Sequence, residues 1–506
     1  MIDPRFTTQA GIYDVLEQAD AVPGVHEIYI GRWLAWPAVK VLIYARLCDF
    51  LDAEPMASPE ARRVLRGVSL FSRLPSTWLR LGSELAKVPS AVNKPRVAWL
   101  SGAYPRRGAD GTQRDALFGD VPDELGNYAE QLWLLPPALS KGVTGIHAER
   151  VYEVATDLAN QLASLQRFRP AVRNAARALA EKLSALAPSV AGLTWQRVLV
   201  DALALFEARR IAWTRVFARL RPAIVLLTNA PYQVGEVAAA KDAGATVAEF
   251  QHGLFGPRCP EYGWPGALAS RREGMPVADR FFVFGDLFRG GALKKAFWRP
   301  DDVRVIGSAE IERLRAAPAS SRPRTAQPRV LFLTQPMTRS EAIGFLDRFL
   351  DGVESGRFPR ASVTIKVHPS ERHASTQYEV LATRYPRSCM LAKADDDTSQ
   401  LMVAHDLVVS YTSYALIEAV GLGRAAISIS GQQSPGGVFA LCPIPGAAGA
   451  IPTVSSPEEL AAQVTSAAAA APGAANGFFA PQAPGTMLRA ILDLLTAAGH
   501  PGAVSR

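Results

Sequence analysis

The tripeptide Gln251-His252-Gly253 directly follows a short apolar run, 246–251, with the composition of a buried strand. Histidine titrates near neutral pH, so His252 at a strand end could take the proton of a substrate hydroxyl. Gly253 would let the chain turn away sharply. The competing reading is a histidine that only caps the strand or bonds a nearby carbonyl.

A second cluster, Lys366-Val367-His368-Pro369, ends another apolar run. Alternation along a strand would put Lys366 and His368 on one side. There an ammonium could offset phosphate charge, and an imidazole could bond a phosphate or a base. Pro369 would end the pairing. The third cluster, Ser410-Tyr411-Thr412-Ser413, opens a helical pattern. Hydroxyls beside a helix N-terminus suit an anion, although Thr412 or Ser413 could equally be ordinary caps. A capping box from Ser413 would need its carboxylate at 416, which is Leu416, so Glu418 is left for another task such as holding ribose hydroxyls.

The loop after the run 96–101 adds Asp110, Asp115 and Asp120. Asp115 is a further catalytic candidate, as an alternative base or an acceptor contact, with a solvated acidic loop as the rival reading. The remaining histidines lack metal-ligand spacing, and no Walker A, dinucleotide GxGxxG or GxSxG motif is present. Asp395-Asp396-Asp397 looks like a metal-binding acidic motif, but it precedes a helical pattern whose N-terminus favours acids anyway. No metal and no cofactor are expected.

These clusters need a scaffold. Apolar runs at 223–228, 246–251, 280–285 and 303–307 alternate with helical patterns, which predicts a parallel sheet covered on both faces. A Pro-, Ser- and Ala-rich stretch, 316–328, reads as a linker. Beyond it the alternation restarts, with strands at 329–334, 363–367, 407–410 and 425–430. The predicted organisation is a helical N-terminal extension (1–95), a first α/β domain (96–315), the linker, and a second α/β domain (329–506). In open parallel sheets ligands bind outside the carboxyl ends of the strands, where all three polar clusters fall. Residues 466–485 read as a loosely ordered connection to a last helix, 486–498.

Composition fits this picture. Hydrophobic residues make up 48% and charged residues 20%, enough for sizeable cores. The net charge of +8 suits an anionic partner, but no basic tract or recognition motif points to nucleic acid. Cys48, Cys259, Cys389 and Cys442 are far apart, so no disulfide framework is expected, in keeping with a reducing cytoplasm. The N-terminus carries no signal-peptide pattern. The apolar stretch 33–51 is interrupted by Pro37, Lys40 and Arg46, and is expected to be a core helix rather than a membrane span.

The motif order resembles that of bacterial capsule and surface-polysaccharide glycosyltransferases of the GT-B type. Gln251-His252-Gly253, Glu261-Tyr262-Gly263, the strand Phe281-Phe282-Val283-Phe284-Gly285 and Val305-Ile306-Gly307-Ser308 look like their acceptor half. Lys366-Val367-His368-Pro369 and the helix opening from Ser410 to Glu418 look like their donor half. The likeness spans roughly 96–430 and implies two Rossmann-like doubly wound domains with a cleft between them.

Three branches are similar. In capsule Kdo transferases and polysialyltransferases an HP motif holds CMP and hydroxyls hold its phosphate, which His368, Pro369, Thr412 and Ser413 match. The sialyltransferase acidic base motif is replaced here by Gln251-His252-Gly253. Poly(glycerol phosphate) polymerases use a His-Gly motif like His252-Gly253, and UDP-GlcNAc 2-epimerases share the fold without transferring a sugar. The resemblance implies inverting, metal-independent transfer to a glycan or lipid-linked glycan. His252 would be the base, and Lys366, Ser410, Thr412, Ser413 and Glu418 would lie at the nucleotide. The favoured donor is a CMP-linked sugar such as Kdo. UDP- or GDP-sugar transfer, polyol-phosphate transfer, 2-epimerisation and a non-catalytic assembly role are the alternatives. A cytoplasmic protein in peripheral contact with the inner membrane or with polysaccharide-assembly proteins is expected.

Overall fold

The computed structural model describes residues 4–51, 74–89, 94–100, 105–107, 113–115, 117–135, 146–187, 189–190, 193–316, 327–433, 435–447, 449–469, 477–481 and 485–500. A short hairpin, β1 (Tyr29–Ile30) and β2 (Trp33–Leu34), precedes the first sheet. That sheet contains β3 (Arg96–Trp99), then, beyond the small hairpin β4 (Pro105–Arg107) and β5 (Gln113–Asp115), β6 (Glu130–Trp133) and β7 (Ile146–His147). It is completed by β8 (Ile224–Leu227), β9 (Thr246–Phe250), β10 (Arg280–Val283) and β11 (Val303–Val305). All seven strands are parallel, in the order β11-β10-β9-β8-β3-β6-β7.

The second sheet comprises β12 (Arg329–Leu333), β13 (Ser362–Lys366), β14 (Cys389–Leu391), β15 (Leu407–Ser410), β16 (Ala425–Ile429) and β17 (Thr453–Val454). Its order, β14-β13-β12-β15-β16-β17, is also all parallel. Read along the chain, each sheet runs 3-2-1-4-5-6, the first with a seventh strand added: a doubly wound α/β pattern. The expected two-sheet fold is present. The central strands β3, β8 and β15 are buried along their whole length, as strands covered on both faces must be.

The main support of the first sheet is the 26-residue helix Trp195–Leu220, opened by Thr194 accepting from the Arg197 N–H and ended by Arg221 at φ 48°. Helices Glu149–Gln166, Pro170–Leu183 and Ala35–Leu51 pack against it or one another. Helix Ala35–Leu51 is a core element, as expected; within it Lys40 is buried and paired at 2.6 Å with Asp20, which also accepts from the Trp36 indole. Among the described residues no helix is long and apolar enough to cross a membrane.

Four features depart from the sequence reading. The expected helical N-terminal region is present, but it is packed into the first domain: Ile12, Leu16, Trp36 and Val39 share one continuous core with Phe206, Phe217 and Val247. Short strands β6, β7, β14 and β17 appear where no alternation flagged them, because two to four residues carry too little periodicity. A boundary at 328 separates the sheets but not the cores. The last helix, Thr486–Ala497, packs Met487, Ile491 and Leu495 with Trp99, Trp133 and Phe250 of the first sheet. On the way, Phe478 and Phe479, expected in a loose connection, are buried. Finally, Cys259 and Cys442, separated by 183 residues, form a disulfide, contrary to the expectation of none. Such a pairing is invisible to spacing rules, and the cytoplasmic reading loses that one support. The proposed linker falls almost wholly outside the described residues.

Candidate functional site

Two sheet edges supply the polar groups. At the first, β9 ends at Phe250 and delivers Gln251 and His252 beyond it. Gln251 is buried; its Oε1 accepts from the Phe284 N–H at 2.9 Å and its Nε2 donates to the Gly253 carbonyl at 3.0 Å. The His252 ring is largely enclosed, and burial pushes its pKa down to about 4 although a backbone hydrogen bond with Thr228 opposes the shift. Its Nδ1 is buried and without a hydrogen-bond partner, as is Oδ1 of Asn229, the residue after Thr228.

Beneath this edge Glu249 is fully enclosed, and desolvation raises its pKa to about 8. Its Oε1 accepts from the Tyr262 hydroxyl at 2.7 Å and the Ala230 N–H at 3.2 Å. Glu261, also raised by burial, accepts from Tyr232 at 2.9 Å through Oε1, while its Oε2 has no partner. Both carboxyls line a cavity of about 10 Å³, room for one water, walled by Pro37, Val41, Trp264 and Trp298.

At the second edge the loops after β12 and β15 meet at the switch point of the strand order. Gln335 Oε1 accepts from both the N–H and the hydroxyl of Thr412, at 2.8 and 3.0 Å. Helix Arg339–Glu354 begins there with no side-chain cap on its N-terminus. The fully buried Glu371 ties the loops together, accepting from Thr334 (2.5 Å), Arg339 (3.0 Å) and Tyr378 (3.3 Å). Thr334 Oγ1 in turn accepts the His368 N–H at 2.9 Å. The exposed His368 ring accepts at Nδ1 from the Ser370 N–H at 3.2 Å, so the neutral ring keeps its proton on Nε2. Pro369 opens the turn Pro369–Ala374.

The other expected residues sit in varied surroundings. Lys366 is buried and donates to the carbonyls of Lys393 and Ala394 at 2.7 and 3.0 Å, fastening β13 to the loop after β14. The strand ends at Lys366, so alternation does not carry to His368. Ser410 is buried too, donating to the Leu333 carbonyl at 2.8 Å and so joining β15 to β12. Ser413 accepts from the Ala415 N–H at 3.3 Å, one residue ahead of the N-cap position, which is Tyr414. Glu418 lies half-buried on the seven-residue helix Ala415–Gly421, and its charge acts on the Tyr414 phenol. Asp115 is the last residue of β5, paired with Pro105. Asp120 precedes helix Val121–Leu125 without capping it, and Asp110 lies outside the described residues. Asp397 caps helix Thr398–Ala404 through bonds from Ser399 and Gln400 at 2.8 and 3.1 Å. Among the described residues no group of three or more His, Cys, Asp or Glu is placed to hold a metal.

The two edges are in contact. Phe284, held by Gln251, stacks on Tyr414 at 6.3 Å, and Phe288 lies 6.5 Å from the same ring. The loop after His252 is bound to the second lobe by the Cys259–Cys442 disulfide. Sequence reasoning overlooked Gln335, Arg339 and Glu371. The rule that found the other clusters, polar residues directly after a strand, applies equally to Thr334-Gln335.

No protein family and no curated protein sequence matches the chain. Among solved structures, UDP-GlcNAc 2-epimerase from Neisseria meningitidis bound to UDP-GlcNAc is 16% identical, covering 58% of this chain and 81% of that one, with a TM-score of 0.41. A putative UDP-N-acetylglucosamine 2-epimerase from Listeria monocytogenes is 15% identical over 58% and 78%, TM-score 0.43. A variant of the wall teichoic acid polymerase TagF soaked with CDPG is 11% identical over 87% and 98%, TM-score 0.44. These likenesses are low; the fold assignment rests on the two strand orders themselves.

Proposed function

We propose that the chain is a GT-B glycosyltransferase that moves a group from a nucleotide-activated donor to a substrate hydroxyl. The observation that carries this reading is a pair of buried polar atoms without partners, His252 Nδ1 and Asn229 Oδ1, in the loops that follow the neighbouring strands β9 and β8, with Nδ1 proposed to carry the lone pair. Buried polar atoms are nearly always bonded, so two unsatisfied polar atoms beyond the ends of adjoining strands suit a ligand bearing hydroxyls. The facing edge, with the Gln335–Thr412 contact, the His368 Nε2 proton and the uncapped start of helix Arg339–Glu354, suits a nucleotide phosphate. Ser413 and Glu418 stand beside it and are proposed for phosphate and ribose. Lys366 and Ser410 support the loops rather than the ligand.

In the proposed step the hydroxyl of the acceptor gives its proton to His252 Nδ1 while its oxygen attacks the donor carbon. The nucleotide leaves with the bonding pair, its charge received by fixed N–H and O–H donors. The sugar is proposed to be CMP-linked, Kdo being the example that the His368-Pro369 pattern favours, and the acceptor a surface glycan or its lipid-linked precursor. Thermal shift of the full chain against CMP, CDP, UDP and GDP, followed by transfer assays with and without EDTA, tests the reading. CMP should raise the melting temperature and lose that effect in His368→Ala and in Thr412→Ala/Ser413→Ala. Each such lost bond to a charged phosphate costs about 1.5–3 kcal/mol, tenfold or more in affinity. Stabilisation by UDP alone would move the donor away from a CMP-sugar. No shift with any nucleotide would remove the transferase reading.

A further inference from the structure

The loops on either side of β9 are joined by one carboxyl that the transfer step does not use. Glu249 is the fourth residue of β9, three before His252, and its Oε1 holds the Ala230 N–H of the loop after β8 and the Tyr262 hydroxyl of the loop after β9. The backbone of Thr228, which acts on the His252 ring, lies two residues before Ala230 in the loop after β8. Fixing Ala230 therefore fixes what the histidine leans on.

We propose that Glu249 is the positioning residue of the first-lobe site, holding the Thr228–Ala230 turn so that the His252 ring presents Nδ1 to the acceptor hydroxyl. This rests on the transferase reading and adds a residue that it does not contain. Glu249 acts as a neutral acid. The groups that face it are Tyr262 and Glu261 from the loop after β9, with Tyr232 bonded to Glu261. Behind them Lys40, Tyr13 and Tyr44, from the N-terminal helices, act on Glu261 or are acted on by it. Glu261 beside it and the apolar walls of the cavity oppose ionisation, and its pKa stands at about 8. As pH rises past that value an uncompensated buried carboxylate forms and the turn loosens.

Glu249→Gln keeps a carbonyl that accepts both bonds but cannot ionise; Glu249→Ala removes the bonds. The first readout needs no activity. In 15N-histidine spectra of the full chain, His252 should titrate near its depressed value of about 4 in wild type and in Glu249→Gln. In Glu249→Ala it should move toward the ordinary value of about 6.5 as the ring gains solvent. An unmoved His252 titration in Glu249→Ala overturns the proposal; if that variant does not fold, Glu249→Leu, which removes both bonds but fills the space, takes its place. The second readout is transfer from the donor. Wild type should lose turnover above about pH 8 and Glu249→Gln should not, whereas Glu249→Ala should fall tenfold to a hundredfold at neutral pH, the scale of a misplaced catalytic group. An alkaline limb retained in Glu249→Gln also overturns it. Absence of transfer in wild type with the His252 shift intact would instead remove the transferase reading and leave the positioning geometry standing.

Discussion

At His252, enclosure of the ring and the bare Nδ1 set two measurable quantities. Replacing His252 by Ala should lower turnover about 10²- to 10⁴-fold, the usual contribution of a general base, with nucleotide affinity nearly unchanged because the proposed donor contacts lie on the other lobe. The acid limb of kcat/KM should fall near pH 4 instead of near 6.5, since burial holds the ring neutral. Stability follows the same group. A histidine kept neutral in the fold but free to protonate when unfolded loses stability as pH falls from about 6.5 toward about 4, a slope absent in His252→Ala. A melting temperature with the same acid dependence in both proteins would refute the buried neutral ring. Glu249 works in the opposite direction. Its stabilising contribution is complete below the ordinary carboxyl range and is lost as pH rises through about 8.

Among the elements, the segment 477–481 has a role that its composition hides. Ala480 donates to the Phe284 carbonyl at 2.9 Å, Leu287 donates to the Gly477 carbonyl at 3.1 Å, and Phe478 and Phe479 are buried. This backbone passes so close to Gly285 that a Cβ there would stand 2.2 Å from the Gly477 oxygen and 2.4 Å from that of Phe478. Gly285 is extended, so no unusual φ demands glycine; the close approach does. Gly285→Ala should therefore displace the strap and cost about 1–3 kcal/mol, the range for overpacking. Hydrogen exchange should rise at Ala480 and Leu287 before it rises in β9. Unchanged protection at both amides would mean that the strap accommodates the methyl group.

For the whole molecule, the disulfide and the last helix both make the two lobes one packing unit. The Cys259–Cys442 bond spans 183 residues, and removing such a link costs about 2–5 kcal/mol through the freedom it returns to the unfolded chain. Cys442→Ser should lower the melting temperature, and thiol counting in denaturant without reductant should find only Cys48 and Cys389 reactive in wild type. Four reactive thiols would remove the bond.

The alternation of apolar runs and helical patterns determined by itself that two parallel sheets would form, and with them that strand ends would carry the polar clusters. That information is local: each strand and helix announces itself within about ten residues, and the carboxyl-edge rule does the rest. It placed His252, His368 and Thr412 at sheet edges. Only the tertiary structure decided which of the polar residues are already engaged by the protein itself. Lys366 and Ser410 carry the same side chains in sequence as a phosphate site would, but neighbouring strands bring carbonyls of Lys393, Ala394 and Leu333 to them, and those bonds claim them. Glu249 reads as one acid in an apolar strand; the enclosure that keeps it neutral comes from loops and N-terminal helices distant in the chain. The pairing of Cys259 with Cys442 and the return of helix Thr486–Ala497 to the first sheet have the same origin. Contacts between residues far apart in sequence leave no periodic trace, because each is one meeting of two surfaces and not a repeated pattern along one.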